Sequence, residues 1–197
     1  IVDAFTHVME QYMTQPCAAP LQDRFAESIL QTLVEIAPDA MKIETPDYDA
    51  RANLMWCATM ALNTLIGKGV VTDWATHGIG HELTAFYGVA HAESLAIVMP
   101  GLFRHEKELK RAKLLQYAER VWGITGDDED AVIEAAIARQ ESFYHSIGMP
   151  TRLSDYGIDA EEAATRIEER FAERGTVLGE ADNITPKVTG EILRMVA

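Results

Sequence analysis

The stretch Trp74-Ala-Thr-His-Gly-Ile-Gly-His-Glu-Leu-Thr-Ala-Phe-Tyr-Gly-Val-Ala-His-Ala-Glu-Ser-Leu-Ala-Ile-Val-Met-Pro100 holds three of the chain's six histidines. Its spacing reads as helix, turn, helix. His77 and His81 stand four apart, so on a helix they lie one turn above each other on one face. His91 follows the Tyr87-Gly88 break, at the mouth of the next apolar run, where a turn can fold it back toward the first pair. A second pair at the same spacing, Asp3 and His7, opens the chain and offers the partner from far away.

Working outward, residues 1 to 13 place Ile1, Val2, Phe5, Val8, Met9 and Tyr12 on one side of a helical wheel. Asp3, Thr6, His7, Glu10 and Thr14 gather on the other side, with Glu10 and Gln11 read as solvated. Residues 21 to 37 follow as an amphipathic helix with Leu21, Phe25, Ile29, Leu30, Leu33 and Ile36 inward and Glu27 outward. A short helical piece is expected over 39 to 44. Residues 48 to 66 are apolar on most sides and stop at Gly67-Lys68-Gly69, which predicts a central buried helix.

Thr72-Asp73 is a plausible N-cap for a helix through His77 and His81 to Phe86. Gly78 and Gly80 weaken that helix by up to about 1 kcal/mol each relative to Ala. Unless they serve close helix packing, they suggest the approach of a ligand or another backbone. The next helix spans about 92 to 103 and is interrupted at Pro100-Gly101. Beyond it, helices are predicted over 106 to 122 (Leu109, Ala112, Leu115, Ala118 and Val121 or Trp122 inward), 127 to 147 and 160 to 174, with a last one starting at Thr185-Pro186. His105 and His145 fall on surface helices and are read as incidental to chemistry. No period-2 alternation or repeat is present, so the chain is predicted to be all-α, a single domain over residues 1–197 with about eight or nine helices.

At 197 residues and 48% hydrophobic content the chain can bury one sizeable core. A formal net charge of -14 argues against nucleic acid or anionic membrane as partners, since both demand a cationic face. No run approaches the roughly 18 apolar residues of a transmembrane span, and no signal peptide opens the sequence, so a soluble cytoplasmic protein is expected. Cys17 and Cys57 form no CxxC pair and lie among apolar neighbours, which predicts buried free thiols. The opening Ile1-Val2-Asp3-Ala4-Phe5 carries no Met and already lies inside a periodic pattern, which leads us to expect a piece of a longer chain.

Asp3, His7, His77 and His91 together offer one carboxylate and three imidazoles, a set suited to Fe²⁺, Zn²⁺ or Ni²⁺; Ca²⁺ and Mg²⁺ would want more oxygens. The look-alikes fail on residue order. In His77-x-x-x-His81-Glu82 the glutamate follows the second histidine, which excludes the HExxH metalloprotease reading. Gly78-Ile-Gly80 has no preceding strand and lacks a third glycine. A nucleophile elbow and a P-loop are likewise missing.

Asp3-Ala-Phe-Thr-His7, followed by His77-x-x-x-His81 and then His91 at a separation of fourteen from His77, resembles the C-terminal half of the iron-containing (group III) alcohol dehydrogenases. Within them it is most similar to the NADPH-dependent aldehyde reductase and butanol dehydrogenase branch. Lys113-Leu-Leu-Gln-Tyr-Ala-Glu-Arg-Val-Trp122 and Leu153-Ser-Asp-Tyr-Gly157 extend the likeness nearly to the C-terminus.

The resemblance implies a dehydroquinate synthase-like α-domain and places the four metal ligands on Asp3, His7, His77 and His91. His81 would lie beside the nicotinamide and substrate and position or relay a proton. The implied activity interconverts small aldehydes and primary alcohols, with a divalent metal polarising the carbonyl and NAD(P)H giving or taking hydride. The implied assembly is a homodimer of the full-length enzyme. The family's N-terminal nucleotide-binding α/β domain is not among these residues, so the cofactor would be bound mainly elsewhere, and the isolated piece is expected to be inactive and to hold metal weakly. Two other readings use the same residues: a helical metal-dependent hydrolase, and a metal-free helical packing or dimerisation domain.

Overall fold

Local capping chemistry, rather than helix propensity alone, delimits the elements in this computed structural model, which describes residues 1–197. Nine α-helices follow in order: α1 Val2–Tyr12, α2 Pro20–Ala40, α3 Tyr48–Ala61, α4 Ala75–Tyr87, α5 His91–His105, α6 Lys107–Trp122, α7 Glu129–Ser146, α8 Ala160–Arg174 and α9 Pro186–Arg194. A 3₁₀ turn occupies Leu153–Tyr156, and the only β pairing is an isolated antiparallel bridge between Leu178 and Ile184. The all-α fold class therefore stands. Asp47, Asp128, Asp159 and Thr185 each accept a hydrogen bond from a backbone N–H of the turn that follows, satisfying donors that the helix itself cannot.

The central helix is α5, not the 48–66 segment. Leu95 through Phe103 are all buried, and α5 packs against α1, α4, α6, α7 and α9. Pro100 lies within α5 without interrupting it. By contrast, α3 ends at Ala61 and packs mainly on α2 and α1 through a narrow stripe of small residues, Ala50, Cys57 and Ala61. Its bulky residues point outward: Tyr48 is 83%, Met55 69% and Trp56 68% exposed. An all-round apolar helix does not say which stripe it buries, and here the small side chains permit the closer approach.

Other expectations shift for related reasons. α2 runs through Pro38 to Ala40, so no separate 39–44 helix forms. Leu21 and Phe25 are exposed while Glu27 is buried, because Tyr12, Gln116 and Arg120 supply Glu27 with partners. On α6, Leu109 and Ala112 face solvent, and Lys110 and Lys113 are buried in their place. Cys17 is exposed, against expectation; Cys57 is a buried free thiol.

One contiguous cluster of 44 buried hydrophobic residues draws on every helix, which makes a single core. No helix is long and apolar enough to cross a membrane.

Candidate metal centre

The buried apolar face of α1 (Val2, Phe5, Val8, Met9, Tyr12) fixes the helix against the core and thereby turns Asp3 and His7 toward α4 and the start of α5. Asp73 accepts a hydrogen bond at 2.8 Å from Ala75 N–H and opens α4 one residue later than the expected cap. Gly88, in the left-handed conformation at φ 71°, ends α4 and lets the chain return within three residues to His91, the first residue of α5. The return brings His91 beside His77, with ring centroids 5.3 Å apart.

Three of the predicted side chains converge on one atom of the fourth. Asp3 Oδ1 lies 3.4 Å from His7 Nε2, 3.7 Å from His77 Nε2 and 3.3 Å from His91 Nε2. Asp3, His7 and His77 each present a ligand atom within 4.8 Å of the others, a grouping that fits a cation. Asp3 Oδ1, His77 Nε2 and His7 Nδ1 are all buried without a hydrogen-bond partner. Buried polar atoms are seldom left unpaired, and Asp3 Oδ1 and His77 Nε2, which face each other, mark a place that fits a species the protein itself does not supply. The donor set, nitrogen-rich with one carboxylate, suits a borderline first-row divalent ion.

Electrostatics support the same focus. The facing His77 imidazole and the charges of the surrounding histidines hold the Asp3 carboxyl below its ordinary value, outweighing burial. Burial acts to lower His77, but the Asp3 and Glu10 carboxylates outweigh it and lift the imidazolium to about 9. His7 is pushed down, first by burial and then by the charge of His77.

His81 sits outside this ring of atoms, on the exposed side of α4, stacked on His91 with centroids 5.2 Å apart. Burial and the neighbouring His91 and His77 lower its pKa, which favours the neutral imidazole. His105 contacts Glu106 and Glu191, and His145 meets Thr151 Oγ1 at 2.9 Å; neither approaches the cluster. Gly78 and Gly80 serve packing. A Cβ at Gly78 would meet Leu178 Cδ1 at 2.8 Å, and one at Gly80 would meet Ser94 Oγ at 3.0 Å.

Sequence reasoning missed Glu10. Read as solvated, it is 4% exposed, and its neighbour Gln11 is 5% exposed. Gln11 Nε2 donates to the carbonyls of His7 and Ala61, and Glu10 engages His77 through both its oxygens. The available signal was position: Glu10 lies one turn beyond His7, on the face that carries Asp3.

The Fe-containing alcohol dehydrogenase family, C-terminal, matches residues 1–193. The NADPH-dependent aldehyde reductase YqhD of Escherichia coli K12 is 53% identical over 192 residues, covering 98% of this chain and 49% of that protein. NADH-dependent butanol dehydrogenase B of Clostridium acetobutylicum is 33% identical over 196 residues, covering 98% and 49%. Among solved structures, E. coli YqhD superimposes with a TM-score of 0.95 at 52% identity over 100% of this chain and 51% of that one. NADH-dependent butanol dehydrogenase A of Thermotoga maritima gives 0.89 at 31% identity, over 100% and 50%. The chain thus spans about half the length of the relatives it matches. With the sequence match running nearly end to end and the helical architecture shared, this chain belongs to the iron-containing alcohol dehydrogenase family, as its C-terminal helical part.

Proposed function

We propose that residues 1–197 are the metal-binding helical half of a two-domain, NAD(P)-dependent alcohol dehydrogenase or aldehyde reductase acting on small aldehydes and primary alcohols. The observation that carries this reading is the convergence of Asp3, His7, His77 and His91, with unpartnered buried atoms on Asp3 and His77 facing each other, in a member of this family. Relatives named for aldehyde reductase and butanol dehydrogenase activities supply the substrate class and the nicotinamide cofactor.

A divalent ion held by these four residues would supply a Lewis acid for the carbonyl oxygen. A reduced nicotinamide, when bound, would supply hydride to the carbonyl carbon while the C=O π pair goes to oxygen and a proton completes the alcohol. Asp3 and the three histidines fix the point toward which that oxygen is drawn. His81, on the open side of the cluster and favoured as neutral imidazole, is the group placed to relay the proton. The helical core excludes water from one side of the reacting pair. The cofactor would be gripped by the other half of the enzyme, since near-attack placement at roughly 3 to 3.5 Å needs both walls of a cleft. These residues alone are therefore expected to turn over no nicotinamide. We further propose that the whole enzyme is a cytoplasmic homodimer.

The test is metal analysis of the purified whole protein together with NADPH and NADH consumption with butanal. His77→Ala is expected to lose both metal and turnover. Phosphate release from monoesters without nicotinamide consumption would favour a metal-dependent hydrolase, and full activity in the His77 variant would refute the metal reading.

A further inference from the structure

Outside the four converging side chains, the buried carboxylate that reaches the site is Glu10. One turn after His7 on α1, it is 4% exposed and reaches across to α4. Its Oε1 accepts the backbone N–H of His77 at 3.1 Å, and its Oε2 lies in short contact with His77 Nδ1. Its own carbonyl accepts the N–H of Asp73 at 2.8 Å, so the start of α4 is pinned to the same residue.

The arrangement constrains protons. An imidazole is a stronger base than a carboxylate, and an ionised carboxylate only accepts hydrogen bonds. With both oxygens of Glu10 accepting, Nδ1 of His77 must carry a hydrogen. In the neutral ring that a metal ligand requires, the lone pair is then on Nε2, the buried, unpartnered atom 3.7 Å from Asp3 Oδ1. We infer that Glu10 is the positioning residue of the metal centre: it fixes the tautomer, ring plane and backbone of His77 so that Nε2 is presented to a divalent cation. The inference rests on the metal-site reading above and adds to it a residue outside the ligand set.

Glutamine is nearly isosteric with glutamate but cannot accept at both positions. If its oxygen takes the His77 backbone N–H, its amide N–H₂ faces Nδ1. The ring must then accept there and carry its hydrogen on Nε2, which blocks the ligand atom. If the amide flips, two donors oppose each other at the backbone.

The test is a competition titration of Zn²⁺ against a chromophoric chelator on the whole protein, comparing wild type, Glu10→Gln and His77→Ala. Glu10→Gln is expected to bind about 10- to 100-fold more weakly, the range for losing an outer-shell partner of a ligating histidine. Its metal-free thermal unfolding should stay close to wild type. Affinity within about twofold of wild type in Glu10→Gln, with binding lost in His77→Ala, overturns the positioning role while leaving the metal site intact. Unchanged binding in His77→Ala removes the metal-site reading and the inference together. Should Glu10→Gln fail to fold, histidine ¹⁵N spectra of the Zn²⁺-loaded wild-type protein decide. A protonated Nδ1 and metallated Nε2 on His77 are expected, and metallation at Nδ1 overturns the proposal.

Discussion

Lys110 holds its ammonium 3.0 Å from the Asp73 carboxylate in a position where both side chains are almost fully buried. The same nitrogen reaches Glu180 at 3.1 Å and the Met13 carbonyl at 2.8 Å. One cation therefore ties α6 to the end of α1, the start of α4 and the segment before α9. Lys110→Met is expected to destabilise the protein by about 3–5 kcal/mol in urea unfolding, because two carboxylates are left buried without a counter-charge. Neutralising them as well, in Lys110→Met/Asp73→Asn/Glu180→Gln, should recover part of the loss. A single-variant cost below about 1 kcal/mol would mean that water already solvates the cluster.

Two helical glycines should respond oppositely to alanine. A Cβ at Gly101 would meet Val196 Cγ1 at 2.7 Å and the Ile192 carbonyl oxygen at 3.0 Å, so backbone of α9 stands in the way. Gly101→Ala is expected to cost about 1–3 kcal/mol by overpacking. At Gly78 the obstacle is the end of the partly exposed Leu178 side chain, which can rotate aside. There the helix-propensity gain of up to about 1 kcal/mol leaves the change neutral or stabilising. Thermal denaturation of the pair checks the contrast, and equal effects would contradict it.

The two thiols should label at very different rates. Cys17 is exposed, whereas Cys57 is buried with its thiol pKa pushed up by desolvation. The thiolate is the reactive form, so Cys57 is disfavoured by both access and ionisation. Peptide mapping after brief alkylation in native buffer is expected to find Cys17 modified and Cys57 intact, with both modified in denaturant.

Acid sensitivity is predicted at Glu141, which accepts from Arg104 at 2.7 Å and pairs with Arg152 at 2.9 Å. Burial raises its pKa, but the two guanidinium groups outweigh it and hold the carboxyl below 4.5. Since the folded value is the lower one, the stabilisation is complete above the unfolded pKa and disappears as pH falls through the folded one. Glu141→Gln should cost about 1 kcal/mol near neutral pH, given partial screening by solvent. The gap to wild type should narrow in acid; a gap independent of pH would mean that the charge is not what stabilises.

The helices were legible because their punctuation is chemical: Asp128, Asp159 and Thr185-Pro186 start helices where caps should, and Gly88, Gly123 and Gly175 end them in the left-handed conformation. Spacing paired Asp3 with His7, and one turn could return His91 to His77, whereas joining the two pairs rested on the family resemblance. Periodicity could not decide between competing faces. On α3 nearly every face is apolar, and on α6 the lysines that bury do so only because Asp73, Glu180 and Asp23 lie opposite. Glu10 was hidden for the same reason, its partner being 67 residues away.

The side chains that meet at Asp3 are encoded at positions 3, 7, 77 and 91, so synthesis of the first turn of α5 must precede assembly of the centre. Under the metal reading proposed above, an ion would therefore be held only once α1, α4 and α5 have docked. Because sites of this composition rank first-row metals by intrinsic affinity rather than by need, an ion bound there would be decided by which metal is abundant where folding is completed.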